Sequence, residues 1–383
     1  MGQQPLYDLA PLLEMMALGA VIAVAPLLWV WHRNRGAGST RYLAALSVLT
    51  LFLTFDLVMF GAFTRLTDSG LGCPDWPGCY GNASPLGASH EIAMAEAAMP
   101  AGPVTVGKAW VEMIHRYLAT MVGVLIIALT VMAWREHRKT PLHGNRNPWW
   151  ATFTLFWVLV QGAFGALTVT MKLFPAIVTL HLLGGLFLLV LLCVQAVGHQ
   201  QTVLRQTPTV IPSSLRTGLW AVFALLFAQV ALGGWVSTNY AVLACSTFPD
   251  CNGSWWPDML FAQGFEIWRP LGMLADGSPL SFAALTAIHY VHRLAAYVVI
   301  AAVLALVWAL RAHPALRGQR RWLMGLIALQ FLTGLSNVVL DWPLVAAVLH
   351  TGGAAALVTV MTWALAATRT EKDAPNGARS IAA

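Results

Sequence analysis

The sequence predicts an all-α polytopic membrane protein: two tandem four-helix bundles of the same orientation, preceded by one extra transmembrane helix. Three observations carry this expectation. Of 383 residues, 58% are hydrophobic and only 10% charged, whereas soluble domains carry roughly 25% charged residues. Nine apolar runs approach the roughly 20 residues a membrane helix needs, at 12–31, 43–63, 109–134, 149–171, 175–197, 217–237, 284–310, 322–340 and 343–368. The third observation is a repeat, because spacings among glycine, cysteine, glutamine and histidine in the first half return in the second. A membrane β-barrel would alternate apolar and polar residues over ten-residue segments, and these runs are continuous.

Basic residues orient the chain. Segments 32–42, 135–148, 198–216, 311–321 and 369–383 hold 16 of the 22 Lys and Arg, and the opposite set holds only Arg65, Lys108, Lys172 and Arg269. The basic side is cytoplasmic, so the loops at 64–108 and 238–283 face outward, as does the N-terminus. The net charge of +6 thus reports topology and gives no reason to invoke nucleic acid. The first apolar run ends in Trp31-His32-Arg33 without a small-residue cleavage site, so no cleavable signal is expected. These features fit a multi-pass protein of a bacterial inner membrane, with a cytoplasmic C-terminus.

Taken in order, residues 1–42 read as the added helix and its cytoplasmic loop. Span two leads into Gly61 and then Cys73 and Cys79; span six leads into Gly233 and then Cys245 and Cys251. Both stretches run twelve residues from glycine to the first cysteine and six to the second. Gln161 precedes His181 by twenty residues, as Gln330 precedes His350, and a Gly-Gly pair follows each histidine. The units are therefore 43–197 and 217–368, joined by a linker at 198–216, with four spans each and the same orientation, as in parallel repeats. From Arg369 the tail, 369–383, is polar and expected to be disordered.

Ionisable groups inside a membrane helix cost on the order of 2.5–3.5 kcal/mol when charged, so two clusters of them indicate a site. Glu112-Met-Ile-His115-Arg116 recurs as His289-Tyr-Val-His292-Arg293. A spacing of three puts Glu112 and His115 on one helix face, and likewise His289 and His292. His115, His181, His292 and His350 lie about six to eight residues from the outer helix ends, all at one level. Two histidines per unit on different helices is the arrangement a bis-histidine haem requires. His32, His90, His137, His143, His199 and His313 read as solvated residues of loops and their edges. Zinc is less attractive, since neither unit supplies enough nearby Cys, Asp or Glu to complete a tetrahedron.

The four outer cysteines face an oxidising compartment, so disulfides Cys73–Cys79 and Cys245–Cys251 are the default. Each would contribute somewhat less than the roughly 3 kcal/mol of a fifteen-residue loop; a redox-active pair is the functional alternative. Cys193 reads as a small apolar filler. Where the first unit has Glu112 the second has His289, so only the first carries a carboxylate able to act as a general base. Arg116, Arg293 and Arg65 are open to two roles, pairing with haem propionates or snorkelling to the interface.

At these residues the chain resembles the heme A synthase family. The resemblance covers about 43–368 and rests on Thr64-Arg-Leu-Thr-Asp-Ser-Gly-Leu-Gly-Cys73, Glu112-Met-Ile-His115-Arg, the two Gln-to-His spans and His289-Tyr-Val-His292-Arg. It implies an oxidoreductase acting on a methyl group, converting haem O to haem A by two hydroxylations at the C8 methyl and loss of water. Carried over by position, His115 and His181 would hold the substrate haem, with Glu112 as acid/base. His292 and His350 would ligate a resident haem B, with His289 secondary. The two disulfides would be those of the family, and a haem O synthase would deliver the substrate in the lipid. The electron acceptor is not named by the resemblance, and a homo-oligomer is compatible with it. The added first helix and the long loop at 82–107 depart from the family pattern. Two competing readings use the same fold. A non-catalytic dihaem b-type cytochrome would need the histidines without Glu112, and a transporter on a parallel repeat leaves the histidines unexplained.

Overall fold

The computed structural model describes residues 10–371 except Thr140, Leu142, Gly144 and Asn145. The helices are α1 (Ala10–Arg33), α2 (Ser39–Leu66), α3 (Ser89–Ala98), α4 (Val106–Lys139), α5 (Pro148–Thr170), α6 (Pro175–Val203), α7 (Ser213–Thr238), α8 (Phe261–Gly264), α9 (Phe282–Ala309), α10 (Arg317–Val339) and α11 (Leu344–Ala366). Among the described residues nine helices, all but the short α3 and α8, are long and apolar enough to cross a membrane. The nine expected spans are therefore present, and the chain is an all-α polytopic membrane protein.

Local chemistry sets the helix ends. Pro148 and Pro175 occupy first-turn positions, where the missing N–H costs nothing. Asn147 and Ser281 cap α5 and α9 by accepting the N–H of Trp149 and Ala284. At the opposite ends, Asp68, Leu173, Tyr240 and Trp342 take positive φ just after α2, α5, α7 and α10. Left-handed residues there stop a helix and turn the chain. The stops of the two halves fall at matching places in the repeat.

Within the first half α2 packs on α4 and α6, and α5 on the same two helices; α7, α9, α10 and α11 repeat the scheme. The halves meet through α2–α11, α6–α7 and α6–α11. Exchanging α2 with α7 and α6 with α11 swaps the first two contacts and returns the third to itself, the pattern of a pseudo-twofold relation. The seam is apolar, built of Leu186, Leu189 and Ala355 with Phe55, Val58 and Phe227 around them. Cys193 is buried at the same seam and its Sγ donates to the Thr359 carbonyl at 3.6 Å.

The chain departs from the expected boundaries in ways that matter. Helices α4 and α9 start at Val106 and Phe282, earlier than the apolar runs suggest, so His115 and His292 sit nine and ten residues from the helix start. Helix α6 continues to Val203, which takes in the first part of the expected linker. His199 is consequently an interior helical residue, 1% exposed, and the expectation that it is solvated is corrected. Arg369, where a disordered tail was expected to begin, pairs instead in a two-residue parallel bridge, β1 (Thr209–Val210) with β2 (Thr368–Arg369). The rest of the tail, 372–383, lies outside the described residues.

Helix α1 has no counterpart in the second half and lies along α4. Gly19 allows the close approach: a Cβ there would be 2.6 Å from Thr120 Cβ. The N-terminal half of α1 reaches the first cysteine loop, where Met15 packs with Cys73, Cys79, Ile92 of α3, Met113 and Tyr117. Gly19→Val should force α1 from α4 and cost about 1–3 kcal/mol. A thermal melt in detergent reads that loss, and an unchanged melt would show that α1 is not seated as described.

Candidate functional site

Four histidines on four helices form the centre: His115 on α4, His181 on α6, His292 on α9 and His350 on α11. Each imidazole lies against a glycine of a neighbouring helix. A Cβ added at Gly61, Gly165, Gly233 or Gly334 would stand 3.0, 3.5, 2.9 or 3.2 Å from the Cε1 of His115, His181, His292 or His350. These glycines are a cradle that larger residues would fill. The rings of His292 and His350 are 6.5 Å apart between centres and nearly perpendicular. Two imidazoles sharing one metal through bonds of about 2.0 Å, with about 1.1 Å more from nitrogen to ring centre, would be roughly 6.2 Å apart. The second pair thus has the spacing for an iron between its rings. In the first pair the Nδ1 of both His115 and His181 is buried without a hydrogen-bond partner. Among the described residues no three His, Cys, Asp or Glu side chains converge on one point, so each centre offers a pair of ligands. Pairs of half-buried imidazoles facing small residues suit a flat macrocycle held from both sides.

The Gly-Gly pairs after His181 and His350 serve a different purpose. A Cβ at Gly184 or Gly353 would meet the Nε2 of Gln161 or Gln330 at 2.0 or 2.2 Å. These glycines admit the glutamine amides, and Gln330 donates to the His350 carbonyl at 3.0 Å. Gln229 and Thr333 touch the second pair from outside. Gln229 Nε2 is 3.1 Å from His292 Nδ1 and donates to the His292 carbonyl, and Thr333 Oγ1 is 3.0 Å from His350 Nδ1.

Above each pair sits a cysteine loop closed by a disulfide, Cys73–Cys79 and Cys245–Cys251. The residue one turn before the first histidine reaches this loop in both halves. Glu112 Oε2 accepts the Cys73 N–H at 2.8 Å, and His289 Nδ1 accepts the Cys245 N–H at 3.3 Å. Glu112 is 4% exposed and also forms an ion pair with Arg116. The two arginines, read from sequence as facing either propionates or the interface, are directed to loop carbonyls. Arg116 donates to Asp75, Pro77 and Gly78, and Arg293 to Cys245, Thr247 and Asp250. Both guanidiniums are buried there, which places them as clasps of the cysteine loops. Arg65 lies on the seam, donating to the Ser237 carbonyl at 2.7 Å, while Tyr240 donates to Asp68 at 2.8 Å. In the repeat Arg65 corresponds to Ser237 and Asp68 to Tyr240, so equivalent residues meet at the pseudo-twofold relation.

Gly165, Gly334, Gln229, Thr333 and Asp56 do not stand out in the sequence, and Gly61 and Gly233 stand out only as markers of the repeat. For Gly61 and Gly233 the signal was present, since both open the repeated twelve-residue interval. Asp56 is a lone carboxylate inside α2 on its exposed side, and a single intramembrane acid was the signal for it.

The family described as cytochrome oxidase assembly protein, COX15-CtaA, matches residues 44–362. A heme A synthase of Shewanella oneidensis is 37% identical over 313 residues, 82% of this chain and 92% of that protein. One from Halalkalibacterium halodurans is 26% identical over 316 residues, covering 81% of this chain and 91% of its own. A third, from Symbiobacterium thermophilum, is 28% identical over 320 residues, 81% of this chain and 90% of its own. The matched stretch takes in all four histidines, Glu112 and both disulfides, and leaves α1 outside. The chain belongs to the COX15-CtaA family of cytochrome oxidase assembly proteins and is a relative of these heme A synthases.

Proposed function

We propose that the chain is a heme A synthase, a membrane oxidoreductase that converts the C8 methyl of haem O to the formyl of haem A. The observation that carries the assignment of roles is the difference between the two halves one turn before the first histidine of each pair. One turn before His115 stands the carboxylate of Glu112, and one turn before His292 stands His289. Units 43–197 and 217–368 thus have different tasks. His115 and His181 hold the substrate haem, and Glu112 takes or returns protons at the reacting edge. His292 and His350 hold a resident haem B, which when bound supplies one-electron transfer. With water supplying the oxygen, oxidising the methyl to a formyl releases four protons and four electrons, and we assign the second pair, in the half that meets the first through α6 and α7, the role of passing those electrons on.

Burial serves the same chemistry. Glu112 has 4% of its surface exposed, and its contacts to Arg116 and Cys73 fix the carboxylate where it is needed. Arg116 and Arg293 hold the cysteine loops over the centres, which excludes bulk water from the outer side. The disulfides act as staples for those loops. We place the chain in a bacterial inner membrane with the cysteine loops and N-terminus periplasmic and the C-terminus cytoplasmic, from the distribution of Lys and Arg. Haem O reaches the first pair through the lipid.

The test is production of haem A. Membranes containing the chain and a source of haem O should yield haem A on extraction, and membranes lacking the chain should not. Unchanged haem O together with two bound haems would contradict the proposal and return the electron-carrier reading.

A further inference from the structure

The two histidine pairs are anchored differently behind the ring. A metal-bound neutral imidazole that ligates through Nε2 carries its proton on Nδ1, and the group that accepts this proton fixes the ring's rotation and raises its basicity. In the second half both Nδ1 atoms have a polar side chain beside them, and that of His350 faces an oxygen able to accept. Thr333 Oγ1 donates to the Leu329 carbonyl at 2.8 Å, which leaves its lone pairs toward His350 Nδ1 at 3.0 Å. Gln229 keeps its amide 3.1 Å from His292 Nδ1, and its Oε1 is buried with no partner. The same amide's Nε2 donates to the His292 carbonyl at 3.1 Å, so Gln229 holds both the ring and the backbone of His292.

In the first half neither Nδ1 has a partner: those of His115 and His181 are buried and unbonded. The repeat says why. The interval that equates Gly61 with Gly233 puts Leu57 where the second half has Gln229, and the interval that equates His181 with His350 puts Phe164 where it has Thr333. Apolar side chains replace both polar neighbours. The glycine cradles, by contrast, are present on both sides, so the difference does not lie in the space available.

We infer that Gln229 and Thr333 are positioning residues that make the second pair a retaining site, and that Leu57 and Phe164 leave the first pair able to release what it binds. This rests on the proposed function, in which the first site must exchange haem O for product while the second keeps its haem. It adds the residues that set the exchange rate. A ring free to turn about its bond to Cβ loses its ligand readily; a ring held at Nδ1 does not. Outer partners of metal-binding histidines are worth 10–100-fold in affinity, enough to separate a substrate site from a permanent one.

The experiment uses full-length protein carrying His115→Ala and His181→Ala, so that only the second pair binds, and measures transfer of its haem to excess apomyoglobin. Thr333→Val and Gln229→Leu should each speed release by about 10–100-fold and shift the low-spin electron paramagnetic resonance signal as the ring orientation relaxes. Thr333→Ser, which keeps the hydroxyl, should restore the slow rate and the original signal. In the reverse background, His292→Ala with His350→Ala, adding Leu57→Gln and Phe164→Thr should slow release from the first pair. Bound haem with unchanged release rates and signals would overturn the inference alone. A folded second pair that binds no haem would overturn it together with the proposed function.

Discussion

Replacing Glu112 with glutamine will lower haem A formation by about 10²–10⁴-fold, the range contributed by a positioned acid–base group, and leave the bound haems in place. Glutamine is the right substitution because the carboxylate has a second duty. It accepts the Cys73 N–H and pairs with Arg116, and an alanine would remove both contacts along with the chemistry. The amide oxygen can still accept the Cys73 N–H, and Arg116 keeps its three loop carbonyls. Haem extracted from membranes carrying the variant should therefore be haem O where the unaltered chain gives haem A. Full haem A yield from Glu112→Gln would mean that the carboxylate only anchors the loop, as His289 does in the other half.

Removing the clasps will damage the two cysteine loops unequally. Arg116→Met strands a buried carboxylate, and breaking such a pair costs about 3–5 kcal/mol. Arg293→Met strands only the carbonyls of Cys245, Thr247 and Asp250, with about 1–3 kcal/mol at stake for an unsatisfied buried group. The sensitive measurement is the rate at which each disulfide is opened by a mild reductant and trapped with maleimide. Cys73–Cys79 should become the faster pair in Arg116→Met, by more than Cys245–Cys251 does in Arg293→Met. Equal rates in the two variants would show that the Glu112–Arg116 pair does not hold its loop.

The contrast between these variants also marks what was legible in the sequence. The spans were readable because a bilayer demands long apolar runs, and the repeat was readable because intervals survive substitution. Gly61 to Cys73 and Gly233 to Cys245 keep their spacing although most residues between them differ. The destination of Arg116 and Arg293 was not readable. An arginine beside a ligand histidine could have faced a propionate, the interface or a loop. The choice depends on where loop residues 75–78 and 245–250 fold back, which no helical periodicity encodes. His199 misled for a related reason: the apolar run ends near 197, but α6 continues to Val203 and carries the histidine inward. Gln229 and Thr333 were hidden because single polar residues in a membrane helix stand out only when a neighbour needs them, and their neighbours come from α9 and α11. The cradle glycines belong to the same class, since a missing side chain signals something only once the facing imidazole is known.

The most direct measurement identifies which haem each pair holds. Two proteins are purified from cells that make both haem O and haem B, one with His115→Ala and His181→Ala, the other with His292→Ala and His350→Ala, and their haems are separated by chromatography. The first should contain haem B alone and the second haem O alone. The same haem, or the same mixture, in both proteins would contradict the division of labour between the halves.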